Sequence, residues 1–103
     1  QRIEEIVNKY PVMVFMKGNP EQPQCGFSAR VAMILKDHGA PFASFDVLSD
    51  PSIREGIKIY ANWPTIPQLY IAGEFVGGSD IISEMHMNNE LQPMLDAVST
   101  EKA

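Results

Sequence analysis

The chain has 103 residues, 13 acidic and 8 basic side chains, a formal net charge of −5, and is 45% apolar and 20% charged. That balance belongs to a folded globular chain rather than a disordered one, and its sign repels phosphate backbones and anionic lipid, so neither nucleic acid nor a membrane surface is an expected partner. No apolar run reaches the roughly 18 to 20 residues needed to cross a bilayer, and the length suits one domain over residues 1–103.

The first segment, QRIEEIVNKYP, places Ile3, Ile6, Val7 and Tyr10 at helical spacing, and Glu4 and Glu5 exclude the basic start of a signal peptide. A chain opening on Gln rather than Met is expected to be the trimmed part of a longer one. VMVFMKG (12–18) reads as a short buried strand between Pro11 and Gly18. A seven-residue loop, 18–24, follows; then Phe27, Val31, Ile34 and Leu35 mark a helix that Gly39 stops. FASFDV (42–47) alternates as a strand. Asp50 is a candidate N-cap with Pro51 behind it, and Ile53, Ile57 and Tyr60 form the buried stripe of the next helix. PQLYIAG and EFVGG form a hairpin turning near Ala72-Gly73. SDIISEMHMNN is a helix capped by Ser79 or Asp80, and ELQPMLDAVS a last one with Pro93 in its first turn.

The order α-β-α-β-α-β-β-α-α predicts an α/β fold, a four-stranded mixed sheet flanked by helices in the thioredoxin-like arrangement. In that layout Cys25, the single cysteine of the chain, stands where the loop becomes the second helix. Unpaired N–H groups and the helix dipole there favour a thiolate. A lone cysteine excludes an internal disulfide and points to a reducing compartment. With Ser28 where a CxxC site has its second thiol, the two-thiol redox cycle is excluded as well.

CGFS (25–28), preceded by KGNPEQPQ and followed by YANWPTIPQLYIAGEFVGGSDI, resembles the active site and body of the monothiol glutaredoxins over nearly the whole chain. The resemblance implies a glutaredoxin fold, glutathione as cofactor, and a [2Fe–2S] cluster bridging two subunits. The stoichiometry agrees with the thiol count. Such a cluster takes four ligands, usually thiolates; two chains supply two, and two small thiols complete the set.

Glutathione carries a carboxylate at each end. Arg54 and Lys58, four residues apart on one helix, and Lys17 beside the thiol are either solvated cations or the holders of one carboxylate; the resemblance assigns Lys17 and Arg54 to glutathione. Gly77, Gly78, Ser79 and Asp80 offer a helix N-terminus to the other, γ-glutamyl end. Many relatives carry a cysteine where Ser79 stands, so a second thiol has no role in this chain. Pro67 resembles the cis-proline that exposes the preceding backbone, here that of Ile66, although an isolated Thr-Ile-Pro is expected to be trans. Phe27 either covers the site or joins the core. Trp63 is assigned to packing, the six methionines mostly to the core, and His38 and His86, without metal-ligand spacing, to the surface.

Three functions follow: a carrier that binds a cluster between two subunits and transfers it to apo iron–sulfur proteins, acting in iron homeostasis; a glutathione-dependent thiol-disulfide oxidoreductase; and an adapter for BolA-type proteins. By analogy with the family it resembles, the long loop before Cys25 favours the carrier. The compartment is expected to be cytoplasm or mitochondrial matrix.

Overall fold

The computed structural model describes residues 2–102, with side chains through Val98; Gln1, the first residue of the expected opening helix, lies outside them. The described residues form α1 (Arg2–Lys9), β1 (Val12–Met16), β2 (Gly18–Asn19), β3 (Gln22–Pro23), α2 (Gly26–Asp37), β4 (Ala43–Asp46), a 3-10 turn (Val47–Ser49), α3 (Pro51–Ala61), β5 (Gln68–Ile71), β6 (Glu74–Gly77), α4 (Ser79–Met87) and α5 (Leu91–Lys102). The sheet order is β4-β1-β5-β6, with β1 parallel to β4 and antiparallel to β5. This is the expected four-stranded mixed sheet flanked by helices.

All five residues of β1 are buried, because helices cover both faces of the strand. Val12, Val14 and Met16 pack against Val31, Ile34 and Leu35 of α2, Ile82 of α4, and Leu91 and Leu95 of α5. The alternate residues Met13 and Phe15 face Val7 of α1, Ile53 and Ile57 of α3, and Tyr70 of β5. The period of two in the strand thus divides one continuous apolar run between two cores.

Local chemistry sets the element boundaries. The 42–47 strand stops at Asp46, whose carboxylate accepts from the Leu48 N–H at 2.9 Å and begins the 3-10 turn. Asp50 caps α3 as expected, accepting from Ser52 and Ile53 N–H. The two-residue turn between β5 and β6 puts both Ala72 (φ 55°) and Gly73 (φ 81°) in the left-handed region, the type I′ requirement. The expected cap of α4 is corrected: Gly78 occupies the position and no side chain caps the helix, which leaves its first N–H groups open.

Other expectations are also corrected. Tyr10 lies beyond α1 and Tyr60 is half-exposed. Of the methionines only Met13 and Met16 are fully buried, while Met33 and Met87 are 62% and 79% exposed. Helical spacing placed Met33 beside the apolar stripe of α2, but α4 covers only part of that face. His38 and His86 are not independent surface residues. His38 Nε2 lies 2.9 Å from His86 Nδ1, and its Nδ1 lies 2.6 Å from Gln92 Oε1. Since Gln92 donates its amide to Asp96 at 2.8 Å, its oxygen faces the ring, and His38 Nδ1 is the donor. The chain of bonds ties the end of α2 to α4 and α5 across 48 and 54 residues of sequence, a separation that sequence spacing cannot reveal.

Phe15 has no exposed surface, and its ring meets Phe45 and Tyr70 at centroid distances of 5.9 and 5.7 Å. Phe15→Ala should therefore lower stability by about 3–5 kcal/mol, read as a reduced denaturant midpoint at unchanged slope.

Candidate functional site

Cys25 is the N-cap of α2, in extended backbone conformation, and its sulfur accepts from the Ser28 N–H at 3.4 Å. A cysteine there replaces the usual capping oxygen with a group that gains charge when it loses its proton. Ser28, with no exposed surface, holds the sulfur from a second direction. Its Oγ accepts from the Lys17 N–H at 3.0 Å and lies 3.4 Å from Cys25 Sγ. Lys17 N–H can only donate, so the hydroxyl hydrogen of Ser28 is free to point at the sulfur. Burial alone pushes the Cys25 thiol up. The Ser28 hydroxyl, the backbone N–H groups of Ser28 and Phe27, and the Lys17 ammonium together outweigh it, and the pKa is lowered.

The loop before Cys25 is built rather than slack. β2 and β3 pair as a small hairpin, Gly18 with Pro23 and Asn19 with Gln22, which the polar composition of the loop did not announce. Asn19 Oδ1 accepts from Glu21 and Gln22 N–H and closes the turn. Asp46 Oδ1 accepts from the Gly18 N–H at 2.9 Å, and Lys36 donates to the Pro20 carbonyl at 3.0 Å. Gly18 has φ +84°, and a Cβ there would meet the Gln22 carbonyl at 2.5 Å, so only glycine fits.

Beside the thiol lies a cleft of about 400 Å³ lined by Lys17, Phe27, Arg54, Lys58, Trp63, Pro64, Thr65, Ile66, Gly78, Ser79 and Asp80. Lys17 comes from the end of β1, Phe27 from α2, Arg54 and Lys58 from α3, Ile66 from the segment before β5, and Gly78 to Asp80 from the head of α4. Cys25 and Pro67 are not among the lining residues: Cys25 stands two residues before Phe27, near enough to the Lys17 ammonium for its thiolate to be stabilised, and Pro67 follows Ile66, buried. The Ile66–Pro67 bond is cis, against the expectation from isolated sequence. A methyl group on Gly78 would stand 3.2 Å from both the Pro67 carbonyl and Trp63 Nε1, so strand, indole and helix head converge there.

Phe27 is 63% exposed, which places it over the cleft rather than in the core. Trp63 does pack, at 5.4 Å from the Phe75 ring, but it also walls the cleft with Pro64 and Thr65, a contribution the sequence reading missed. Two buried donors on this wall, Arg54 Nε and Trp63 Nε1, have no hydrogen-bond partner among the described residues. Lys58 differs, having an exposed partner in Glu55 at 3.5 Å, a pairing worth at most about 1 kcal/mol.

Comparison with known proteins places this arrangement. The Glutaredoxin family profile matches residues 12–76. An uncharacterized monothiol glutaredoxin ycf64-like protein of Synechocystis is 59% identical over 95 residues, covering 92% of this chain and 89% of that protein. Zebrafish glutaredoxin 3 is 50% identical over 92 residues, which are 89% of this chain but 28% of that protein, so the chain spans about a quarter of that relative's length. Among solved structures, reduced apo GrxS14 of poplar superposes with a TM-score of 0.83 at 44% identity, over 96% of this chain and 91% of the other. A buckwheat glutaredoxin–glutathione complex gives 0.83 at 27% identity, over 94% and 86%.

Removing the Ser28 hydroxyl separates its two roles. Ser28→Ala should raise the pH midpoint of Cys25 alkylation by iodoacetamide toward the roughly 8.5 of a free thiol, because the sulfur loses a donor. It should also cost about 1–3 kcal/mol of stability, because the Lys17 N–H loses its acceptor. An unchanged midpoint would remove Ser28 from the control of the thiol.

Proposed function

The chain belongs to the monothiol glutaredoxin family, and on that premise we propose that it binds glutathione in the cleft beside Cys25 and shares a [2Fe–2S] cluster between two chains. The observation that carries the reading is the pair of buried, unpartnered donors, Arg54 Nε and Trp63 Nε1, lining one cleft with Lys17. A buried donor left unpaired costs roughly 1–3 kcal/mol, and an anionic ligand relieves both at once. Lys17, Arg54 and Lys58 take one glutathione carboxylate. The open N–H groups at Gly78, Ser79 and Asp80 take the γ-glutamyl end. Ile66 pairs through its main chain, and Phe27 covers the ligand. The buckwheat relative that superposes on this fold is itself a glutathione complex.

The cluster is cargo. Among the described residues no three His, Cys, Asp or Glu side chains gather as a metal-binding group; one chain offers the Cys25 thiolate alone. The residues fit a cluster only when a second chain and two glutathione thiols supply the remaining ligands. The lowered thiol pKa favours the ligating, thiolate form of Cys25. The tethered loop between Lys17 and Cys25 fixes the space above the sulfur. Apo iron–sulfur proteins and BolA-type proteins are the partners this reading implies, in cytoplasm or mitochondrial matrix. No helix of the described residues is long and apolar enough to cross a membrane.

The same thiolate supports a second reading. Cys25 can attack the sulfur of a glutathionylated substrate, forming a new disulfide as the substrate thiol leaves. Glutathione then displaces Cys25 and departs as glutathione disulfide. Brisk, saturable turnover of a small mixed disulfide in a glutathione-coupled assay would favour this oxidoreductase over the carrier.

Reconstitution with iron, sulfide and glutathione should give a coloured dimer with about one cluster per two chains, and leaving out glutathione should abolish most of the yield. A stable cluster on a monomer without any small thiol would refute sharing. Arg54→Glu tests the cleft: losing a charge-assisted bond costs roughly 1.5–3 kcal/mol, a ten- to hundredfold weakening. Two bound thiols per dimer double that penalty, so assembly should fail while the melting temperature stays near wild type. If Arg54 were merely solvated, the reversal would shift stability by no more than about 0.5 kcal/mol and spare the cluster.

A further inference from the structure

The wall of the cleft between α3 and β5 belongs to no helix or strand, so the carbonyls there find no ladder partner. Two of them are held from beneath by one side chain. Gln68, on β5 and without exposed surface, donates from Nε2 to the Trp63 carbonyl at 3.1 Å and to the Thr65 carbonyl at 3.2 Å. Its Oε1 accepts from the Tyr70 hydroxyl at 3.0 Å. Carbonyls accept only, so the amide nitrogen must face them and the oxygen must face Tyr70; the reverse orientation would set oxygen against oxygen. Tyr70 is locked in turn between Phe15 and Phe75. Burial first, then the neighbouring Tyr60, pushes its phenol far above the usual range, so the hydroxyl stays a donor.

We propose that Gln68 is a positioning residue of the thiol-binding cleft. It does not line the cleft, yet it fixes the backbone on either side of Pro64 and thereby the direction of the Trp63 indole N–H and the Ile66 main chain. The chemistry suits the task. An amide nitrogen supplies two diverging donors without charge, whereas an ammonium or guanidinium in this sealed place would need a counter-ion, and a hydroxyl supplies one donor. The proposal rests on the glutathione reading of the cleft given above, and it ascribes the pre-organisation of the ligand-facing donors to one buried side chain.

Trp63 is the single tryptophan of the chain, so its indole N–H cross-peak in a nitrogen–proton correlation spectrum reports directly on this wall. In wild type that cross-peak should move as glutathione is titrated. Gln68→Met keeps length and loses both donors. It should displace the indole cross-peak in the free protein and weaken glutathione binding about tenfold, two hydrogen bonds' worth in this setting. The Cys25 alkylation midpoint, set by Ser28, should not change. Gln68→Glu distinguishes positioning from filling: its carboxylate has no hydrogen to give, whereas the protonated acid restores one. Glutathione binding by this variant should recover as pH falls, relative to the Met variant, which has nothing to protonate. Should Gln68→Met fail to fold, Tyr70→Phe, which removes only the hydroxyl that orients the amide, should still displace the cross-peak. A folded Gln68→Met protein with an unmoved cross-peak and glutathione affinity within twofold of wild type overturns the proposal. A wild-type cross-peak indifferent to glutathione sinks the glutathione reading instead, and the cross-peak of the free variants then decides the clamp alone.

Discussion

A hydroxyl has one hydrogen to give and two lone pairs to fill, and Ser28 uses this asymmetry to join three parts of the molecule. Its oxygen receives the Lys17 N–H from the end of β1 and lies 3.4 Å from the sulfur that caps α2, to which its own hydrogen can turn once the thiol has lost its proton. Strand end, helix start and thiol are thereby fixed with respect to one another in a site sealed from water on the serine side. The bond to Lys17 also sets where that ammonium begins, so the positive charge nearest the thiolate is placed by the same contact that stabilises it. In a CxxC site this position holds a second sulfur, a weak donor and poor acceptor. Serine exchanges the capacity to form a disulfide for a firmer grip on one thiolate.

The rest of the fold brings distant donors to that sulfur. Because β1 is covered on both faces, its C-terminal end is rigid and the loop that leaves it can be tethered at defined points, to Asp46 on the neighbouring strand and to Lys36 on α2. Because β5 is antiparallel to β1, the residues just before β5 lie beside the end of β1. Ile66 and Lys17 therefore share a cleft although 49 residues of sequence separate 17 from 66. The two-residue turn after β5 returns the chain along β6 and delivers the uncapped head of α4 to the far side of the same cleft. A capping side chain at Gly78 would satisfy the first N–H groups of α4, so the missing cap leaves that helix head open where it lines the cleft.

The sequence displayed most of this where chemistry is local. Asp50 with Pro51 and the Ala72-Gly73 turn each depend on residues within a few positions, and the structure has them as read. The apolar periods of α2 and α3 hold at Val31, Ile34, Leu35, Ile53 and Ile57 but not at Phe27 and Tyr60. The motif-bearing residues Lys17, Arg54, Ile66 and Gly78 to Asp80 were legible as a set, and they line one cleft. What was illegible is non-local or depends on fractional cover. The His38–His86 contact, the Gln68 clamp and the anchoring of Gly18 by Asp46 join elements whose proximity only the sheet order determines. The exposed Met33 and Met87 obey helical spacing, but spacing alone does not say which part of a helix face its neighbours cover. Trp63 was read as packing and does pack; the same residue also lines the cleft, where its indole nitrogen stands beside Gly78.

Packing and recognition are thus divided between two ends of the same residues. Tyr70 contributes its ring to the core and its hydroxyl to Gln68; Gln68 contributes a filled volume to β5 and two donors to the wall; Trp63 contributes a face to Phe75 and an edge to the cleft. A ligand site assembled this way needs little flexibility of its own, because each donor is oriented by a buried neighbour already immobilised by the core. The cost falls on two nitrogens of this wall, Arg54 Nε and Trp63 Nε1, buried without partners among the described residues; Ser83 Oγ, outside the cleft lining, is a third such atom. A purely structural wall would gain by turning those groups toward water or a carbonyl. On the glutathione reading proposed above, a bound acceptor would relieve both nitrogens, and a small thiol with a carboxylate at each end would meet that need while bringing the sulfur that Cys25 lacks.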